Sequence, residues 1–273
     1  MKYILLILIT IILFFPMYWM FSGSFQNIIG IMKMPPDFIP KNITIENYKF
    51  ILTYNPVLLW LANTILIVGT GTILSLLITA MAGYAFSVFK FTGKKILFWI
   101  FISSLMIPYI ALFIPKFVLI RFLGLFNTWA GVILPLAFWP FGIMLFYKYA
   151  NSVPSEILDS ARLDGCTELQ IIYKIMFPIC KPILGALIIF QSLGFMNDFL
   201  WQNLILQDKN KQTLIVGLIN SVRNVGSDNF AKRLNPIGHS LAIGVILFIP
   251  QLLIFISFSR YFIKGIAVGA IKE

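Results

Sequence analysis

Histidine and cysteine, the residues that most often build metal and redox sites, are almost missing from this chain: it has one His and two Cys in 273 residues. Cys166 and Cys180 form no C-x-x-C, and neither has a histidine at ligand spacing, so a disulfide framework and a metal site are both excluded. The lone His239 stands at the start of an apolar run and reads as a solvated helix-end residue. There is no G-x-x-x-x-G-K-[ST], so the chain cannot hydrolyse ATP by itself and is not expected to be an enzyme. Its nearest approach, "VGTGT" at Val68 to Thr72, lies inside an apolar run, where small residues serve close helix packing. Charge is scarce too, at 11% of residues with only 10 acids. No heptad seam, low-complexity tract or soluble-domain-sized loop occurs, and no cofactor is expected.

What remains is apolar. Hydrophobic residues make up 59% of the chain, more than a soluble domain of this length can bury, so the fold class is all-α integral membrane. The net charge of +11 fits cationic helix ends facing lipid headgroups better than nucleic acid, which is not expected as a partner. A crossing needs about 20 apolar residues. Six segments qualify: Tyr3 to Phe21, Leu58 to Phe86, Ile96 to Pro115, Trp129 to Tyr149, Ile179 to Leu206 and Ser240 to Ile263. Pro16, Pro108, Pro135, Pro140 and Pro250 fall inside them, which membrane helices tolerate. The first segment could be a signal peptide, but it is too long for an h-region and lacks A-x-A. An uncleaved helix over 1–22 is the better reading. Cations divide almost evenly between the two sides, and only the dense short loop "KFTGKK" favours a cytoplasmic N-terminus.

One stretch breaks the pattern. "EILDSARLDGCTELQIIYKIMFPICKP", from Glu156 to Pro182, holds four carboxylates, a glycine at a break and closing prolines. Ser152, Pro154 and Ser155 start a helix with a hydroxyl cap, and Glu156 lies near its positive end. Asp164-Gly165 breaks it, because glycine accepts a left-handed turn. Thr167 and Gln170 form a capping box for a second helix, which Pro178 ends. Two short amphipathic helices at a sharp angle therefore lie outside the membrane. A DNA-binding helix-turn-helix has this shape, but four acids against Arg162 and Lys174 repel phosphate. An inert interfacial connector and a docking elbow for a soluble partner both remain.

"P-S-E-I-L-D-S-A-R-L-D-G-C-T" followed by "I-M-F-P-I-C-K-P" resembles the EAA motif of ABC-importer permeases. "NTILIVGTGTILSLLITAMAGYAFSVFKFTGKK", "LMIPYIALFIPKFVLIRFLGLFNTWAGVILP", "GFMNDFLW" and "RYFIKGIAVGAIKE" resemble, in order, further parts of the carbohydrate-uptake subfamily, the smaller permease of a maltose-type pair. The resemblance implies six spans with both termini cytoplasmic, in the cell membrane, and an importer-type domain over 58–264. Its coupling elbow, 154–178, would fit a cleft on cytoplasmic ATPase subunits through Glu156, Asp159, Ala161, Asp164, Gly165 and Pro178. Further implied partners are a second related permease and an extracellular or periplasmic substrate-binding protein. Four positions depart from the pattern: Asp159 and Ser160, because Asp159-Ser160-Ala161 replaces E-A-A, Cys166, which replaces Ala, and Met196, which stands where Trp usually precedes Asn-Asp. Both cysteines would then be free thiols.

The favoured function is thus a permease subunit of an ATP-driven, binding-protein-dependent importer, with a sugar or oligosaccharide as cargo. The alternative is an ion-coupled secondary transporter, which needs ionisable groups in the membrane; Asp198 is the main one available. A channel or scaffold is a third class. Asn197 and Asp198 are the pathway candidates, with Trp201 and Gln202 placed to stack on and hydrogen-bond a sugar; a polar pair bonding a neighbouring helix would look the same. The polar stretch Gln207 to Gly238 is either a mobile connector or a contact for the binding protein.

Overall fold

The computed structural model describes residues 2–224 and 235–270, without side chains at 223, 224 and 262–270. Among the described residues there is no strand. Helix α1 (Lys2–Ser24) is followed by short α2 (Ile28–Met32) and α3 (Glu46–Tyr54), then by the long α4 (Val57–Val88). Next come α5 (Lys94–Ser103), α6 (Phe113–Phe122), α7 (Trp129–Ala137) and α8 (Pro140–Ala150). Three small helices follow, α9 (Ser155–Leu163), α10 (Glu168–Ile171) and α11 (Phe177–Ile179), with a π-type turn at Ile172–Met176. The chain continues through α12 (Lys181–Asn197), α13 (Phe199–Ile205), α14 (Leu214–Asn224) and α15 (Pro236–Ala270).

Among the described residues three helices are long and apolar enough to cross a bilayer: α1, α4 and the Pro236–Tyr261 part of α15. The other three expected crossings are each broken. The third bends by 102° where Pro108 lacks an N–H for the helix ladder, and the fourth by 44° ahead of Pro140. The fifth starts at Lys181, after an 86° bend at Cys180, and breaks again at Asp198. Counting each bent pair as one span restores six. Pro16 and Pro250, by contrast, sit inside continuous helices.

The chain forms two compact units, one of residues 1–63 and 212–252, the other of 64–211 and 253–273. In the first unit Trp60 lies at the centre of a core with Ile51, Leu214, Leu218 and Ile243. Gly217 meets the Trp60 ring so closely that no Cβ could be added there. Asn47 Nδ2 donates to the carbonyls of Ser24 (2.8 Å) and Gln26 (3.0 Å), which satisfies the end of α1. His239 departs from expectation: it is buried, with its ring stacked on Phe50 at 4.7 Å between centroids. The stretch Gln207 to Gly238 departs as well, because α14 packs Leu214, Val216 and Leu218 inward; residues 225–234 of it lie outside the described set.

The second unit has two cores. One gathers Ala80, Tyr84, Phe146 and Leu187 with apolar residues of the elbow. The other gathers Ile67, Val132, Phe195, Trp201 and Ile205.

Candidate functional site

The elbow is built by local rules. Glu156 lies in the first turn of α9, and Arg162 in its last, each at the helix end that suits its charge. The expected hydroxyl cap is absent: Pro154 holds the N-cap position, and Ser152 Oγ instead donates to the Tyr149 carbonyl at 2.7 Å, finishing the preceding helix. At the other end Gly165 has φ +83°, the left-handed region where only glycine is unstrained. Its N–H reaches the Arg162 carbonyl at 3.0 Å, and the Cys166 N–H reaches that of Ala161 at 3.0 Å. This pair of bonds is a Schellman motif. The Thr167–Gln170 capping box is present in both directions, at 2.9 Å and 3.4 Å. Pro178 does not end the second arm; it sits in the first turn of α11, and the chain turns only at Cys180.

Each face of the elbow is distinct. Leu158, Ala161, Ile171 and Met176 are buried against the bundle. Outward lie Ile157, Leu169, Tyr173 and Leu163, the last of them 89% exposed at the turn. Asp159, Asp164 and Glu156 are exposed at the edge of this apolar ridge. A polar cluster, which sequence reasoning missed, ties the two arms to each other and to α4. Arg162 Nε donates to Glu168 Oε1 at 2.9 Å and Arg162 Nη1 to Asp159 Oδ1 at 2.8 Å. Tyr84 of α4 donates its hydroxyl to Glu168 Oε2 at 2.5 Å. The available signal was an opposite-charge pair flanking the glycine turn.

A second feature of this unit is a cavity of 350 Å³. Its wall includes Tyr109, Lys116, Trp139, Gln191, Phe195 and Asp198. The Tyr109 hydroxyl lies 3.2 Å from Asp198 Oδ2 and 3.4 Å from Oδ1, and Lys116 Nζ stands 4.7 Å from the Tyr109 ring centre. The set offers rings, an amide, a carboxylate and a cation around one space. Of the four expected pathway residues, only Asp198 lines it. Asn197 is exposed beside the break, whereas Trp201 and Gln202 are each 1% exposed, behind the wall. Trp201 Nε1 donates to the Gly131 carbonyl at 3.2 Å and Gln202 Nε2 to that of Phe195 at 2.5 Å. Tyr109, Lys116 and Gln191 were not foreseen. Among the described residues no His, Cys, Asp and Glu cluster could hold a metal.

Apolar spans, a cavity with a few polar groups in its wall and an exposed elbow at one end of a bent span point to a membrane transport protein. The family of binding-protein-dependent transport system inner membrane components matches residues 75–268, and the chain belongs to it. It is 36% identical to the arabinooligosaccharides transport system permease protein AraQ of Halalkalibacterium halodurans, over 97% of this chain and 93% of that one. Against AraQ of Bacillus subtilis the identity is 32%, over 97% and 92%. It is 30% identical to the galactooligosaccharides transport system permease protein GanQ of Bacillus subtilis, over 99% and 94%. A crystal structure of a bacterial ABC transporter involved in import of the acidic polysaccharide alginate matches with a TM-score of 0.84 and 25% identity, over 96% of this chain and 95% of that one. The chain is therefore a permease subunit of an ABC importer, a membrane transporter and not an enzyme, and the ion-coupled alternative is set aside.

Proposed function

We propose that this permease imports a sugar or oligosaccharide, and that its elbow carries the motion of a partner ATPase into the membrane bundle. Relatives named for arabino- and galactooligosaccharides, matched over nearly the whole chain, support the cargo class. One observation carries the coupling role: Leu163, 89% exposed, tips a turn whose conformation is fixed on both sides by hydrogen bonds. An apolar side chain held rigidly in the open, with acids at its rim, is built to be covered by a protein. Glu156, Asp159, Asp164 and Gly165 shape the docking face, Ala161 seats it on the bundle, and Pro178 leads it into the fifth span.

In this reading the elbow and the "KFTGKK" loop are cytoplasmic, as are both termini. ATP hydrolysis belongs to partner subunits, a second permease completes the pathway, and a binding protein delivers cargo on the other side. Residues 58–264 form the importer core and 1–22 an added span. Asp198 lines the pathway with Tyr109, Asn197 stands exposed beside it, and Trp201 and Gln202 hold the wall from behind. Rings for stacking beside a carboxylate and an amide for hydroxyl bonding suit a sugar.

The test is purification through a tag on this chain, followed by uptake of radiolabelled arabinotriose into vesicles. An ATPase and a second permease are expected to co-purify, and uptake should need ATP and survive a protonophore. Uptake that collapses with the proton gradient, in a complex without an ATPase, would refute the reading.

A further inference from the structure

Two of the joints between the elbow and the bundle lead toward the cavity. The first joint is covalent: α10 leads through the π-type turn and α11 to the 86° bend, and then into α12, whose far end carries Phe195 and Asp198. The second joint is the Glu168 carboxylate. One oxygen accepts from Arg162 of α9 at 2.9 Å, the other from Tyr84 of α4 at 2.5 Å. A single side chain thus bonds both arms of the elbow to a helix that is 84 residues away in sequence.

Tyr84 is 1% exposed and packed among Leu158, Ala161, Ile171, Ile172 and Met176, so its hydroxyl has no room to swing to another acceptor. From Tyr84 back to Gly71, α4 runs about 20 Å without a break. There it meets the other lever again. A Cβ on Gly71 would lie 2.5 Å from Phe195 Cζ, so the helix backbone rests directly on that ring. One residue on, Thr72 Oγ1 and Ser192 Oγ are 3.2 Å apart. Between the two ends, the buried hydroxyls of Ser75 and Thr79 have no hydrogen-bond partner among the described residues, so neither fixes the register of α4 against its neighbours. Phe195 is part of the cavity wall beside Asp198.

We propose that Glu168 and Tyr84 are positioning residues that make α4 a second lever, by which elbow movement reaches the Phe195 wall of the cavity. The inference rests on the coupling role given to the elbow above. One lever could only swing Phe195 about the bend at Cys180. Two levers, tied at the elbow and meeting again at Gly71 and Phe195, close a loop, so elbow rotation also pushes on Phe195 through α4. Coupling needs such a contiguous element with both ends engaged.

The experiment uses the complete importer complex carrying Gly194→Cys and Cys166→Ser. Gly194 is exposed on the cavity wall with open space where a Cβ would go, and Cys180 is fully buried. The rate of labelling by N-ethylmaleimide is compared without nucleotide and with ATP plus vanadate. Without further change the two rates should differ about tenfold, a usual size for coupling between sites. Tyr84→Phe keeps the packed ring and removes only the hydroxyl; Glu168→Gln keeps the shape and removes the charge. Each should retain the ATPase subunit and its basal hydrolysis, yet bring the ratio to about twofold or less, with the double variant no worse than either single one. Variants that keep the tenfold ratio would overturn the second lever. Variants that shed the ATPase would also overturn it, because the cluster would then serve docking and not transmission. A parent complex with no bound ATPase would instead overturn the elbow reading, and this inference with it; a parent ratio near one would overturn this inference and leave the elbow reading standing.

Discussion

Gly165→Val tests the elbow with the least disturbance elsewhere. The residue has φ +83°, and a Cβ added to it would meet nothing within 4 Å, so the cost is conformational and not steric crowding by neighbours. A side-chain-bearing residue in the left-handed region costs about 1–2 kcal/mol, and a β-branched one stands at the upper part of a range of about 1–3 kcal/mol. The chain can escape that strain by opening the turn. Opening forfeits the Gly165–Arg162 and Cys166–Ala161 backbone bonds, worth about 0.5–1.5 kcal/mol each. The two costs are comparable, so the variant should populate an opened turn that wild type does not. Gly165 itself is exposed and belongs to neither core of its unit, so membrane abundance should stay normal. Affinity for the ATPase should fall about 5- to 150-fold, the equivalent of 1–3 kcal/mol, and uptake with it. Gly165→Asn, a residue that tolerates positive φ, should show a much smaller loss. Pull-down of the ATPase at graded concentrations gives the affinity, and hydrogen exchange at the Cys166 amide reports the opening. A Val variant that exchanges faster at Cys166 but binds its ATPase and transports at the wild-type rate would show that the turn geometry does not serve docking.

Asp198→Ala should cut uptake sharply while the ATPase subunit stays bound, as read by vesicle transport; unchanged transport kinetics would remove Asp198 from the pathway. Gly71→Ala forces a methyl group against the 1%-exposed Phe195 ring, and should lower stability by about 1–3 kcal/mol in thermal unfolding and narrow the cavity to maleimide. Trp201→Phe loses the bond to the Gly131 carbonyl and should cost about 1 kcal/mol of stability with KM for cargo unchanged; an altered KM would restore Trp201 to the cavity wall.

How far the sequence could be read depended on whether the signal was local. Gly165 and the Thr167–Gln170 box follow from residues within a turn of one another, and each is found in the fold; of Ile157, Leu158 and Ala161, read as one face, only the last two are buried. The apolar runs were equally plain, but their straightness was not. Pro16 and Pro250 leave helices continuous, while Pro108 and Pro140 stand at bends of 102° and 44°. A proline always removes one donor, and neighbouring helices decide whether the gap opens into a bend. His239 went astray for the same reason: its partner Phe50 belongs to α3, a short helix with no long apolar period to announce it.

The cavity shows the limit most sharply. Asp198 stood out because a carboxylate within an apolar run is costly unless something uses it. Trp201 and Gln202 were placed with it because they follow close by, and in an unbroken helix residues three and four further along would share its face. The helix is broken at that point: Asp198 has φ −80° and ψ 77°, and its Oδ1 accepts the Trp201 N–H at 3.2 Å, capping a new helix. The break turns α13 away, so the tryptophan and glutamine face the core while the carboxylate stays at the wall. The signal was present in "NDFLW", an N-cap residue three before the amide it receives. In a soluble protein that pattern would read at once as a helix start; inside a run of apolar residues it is masked by the hydrophobicity on both sides. A buried Asp in a membrane span should therefore be tested first as a cap, because the cap decides which of its neighbours can share its site.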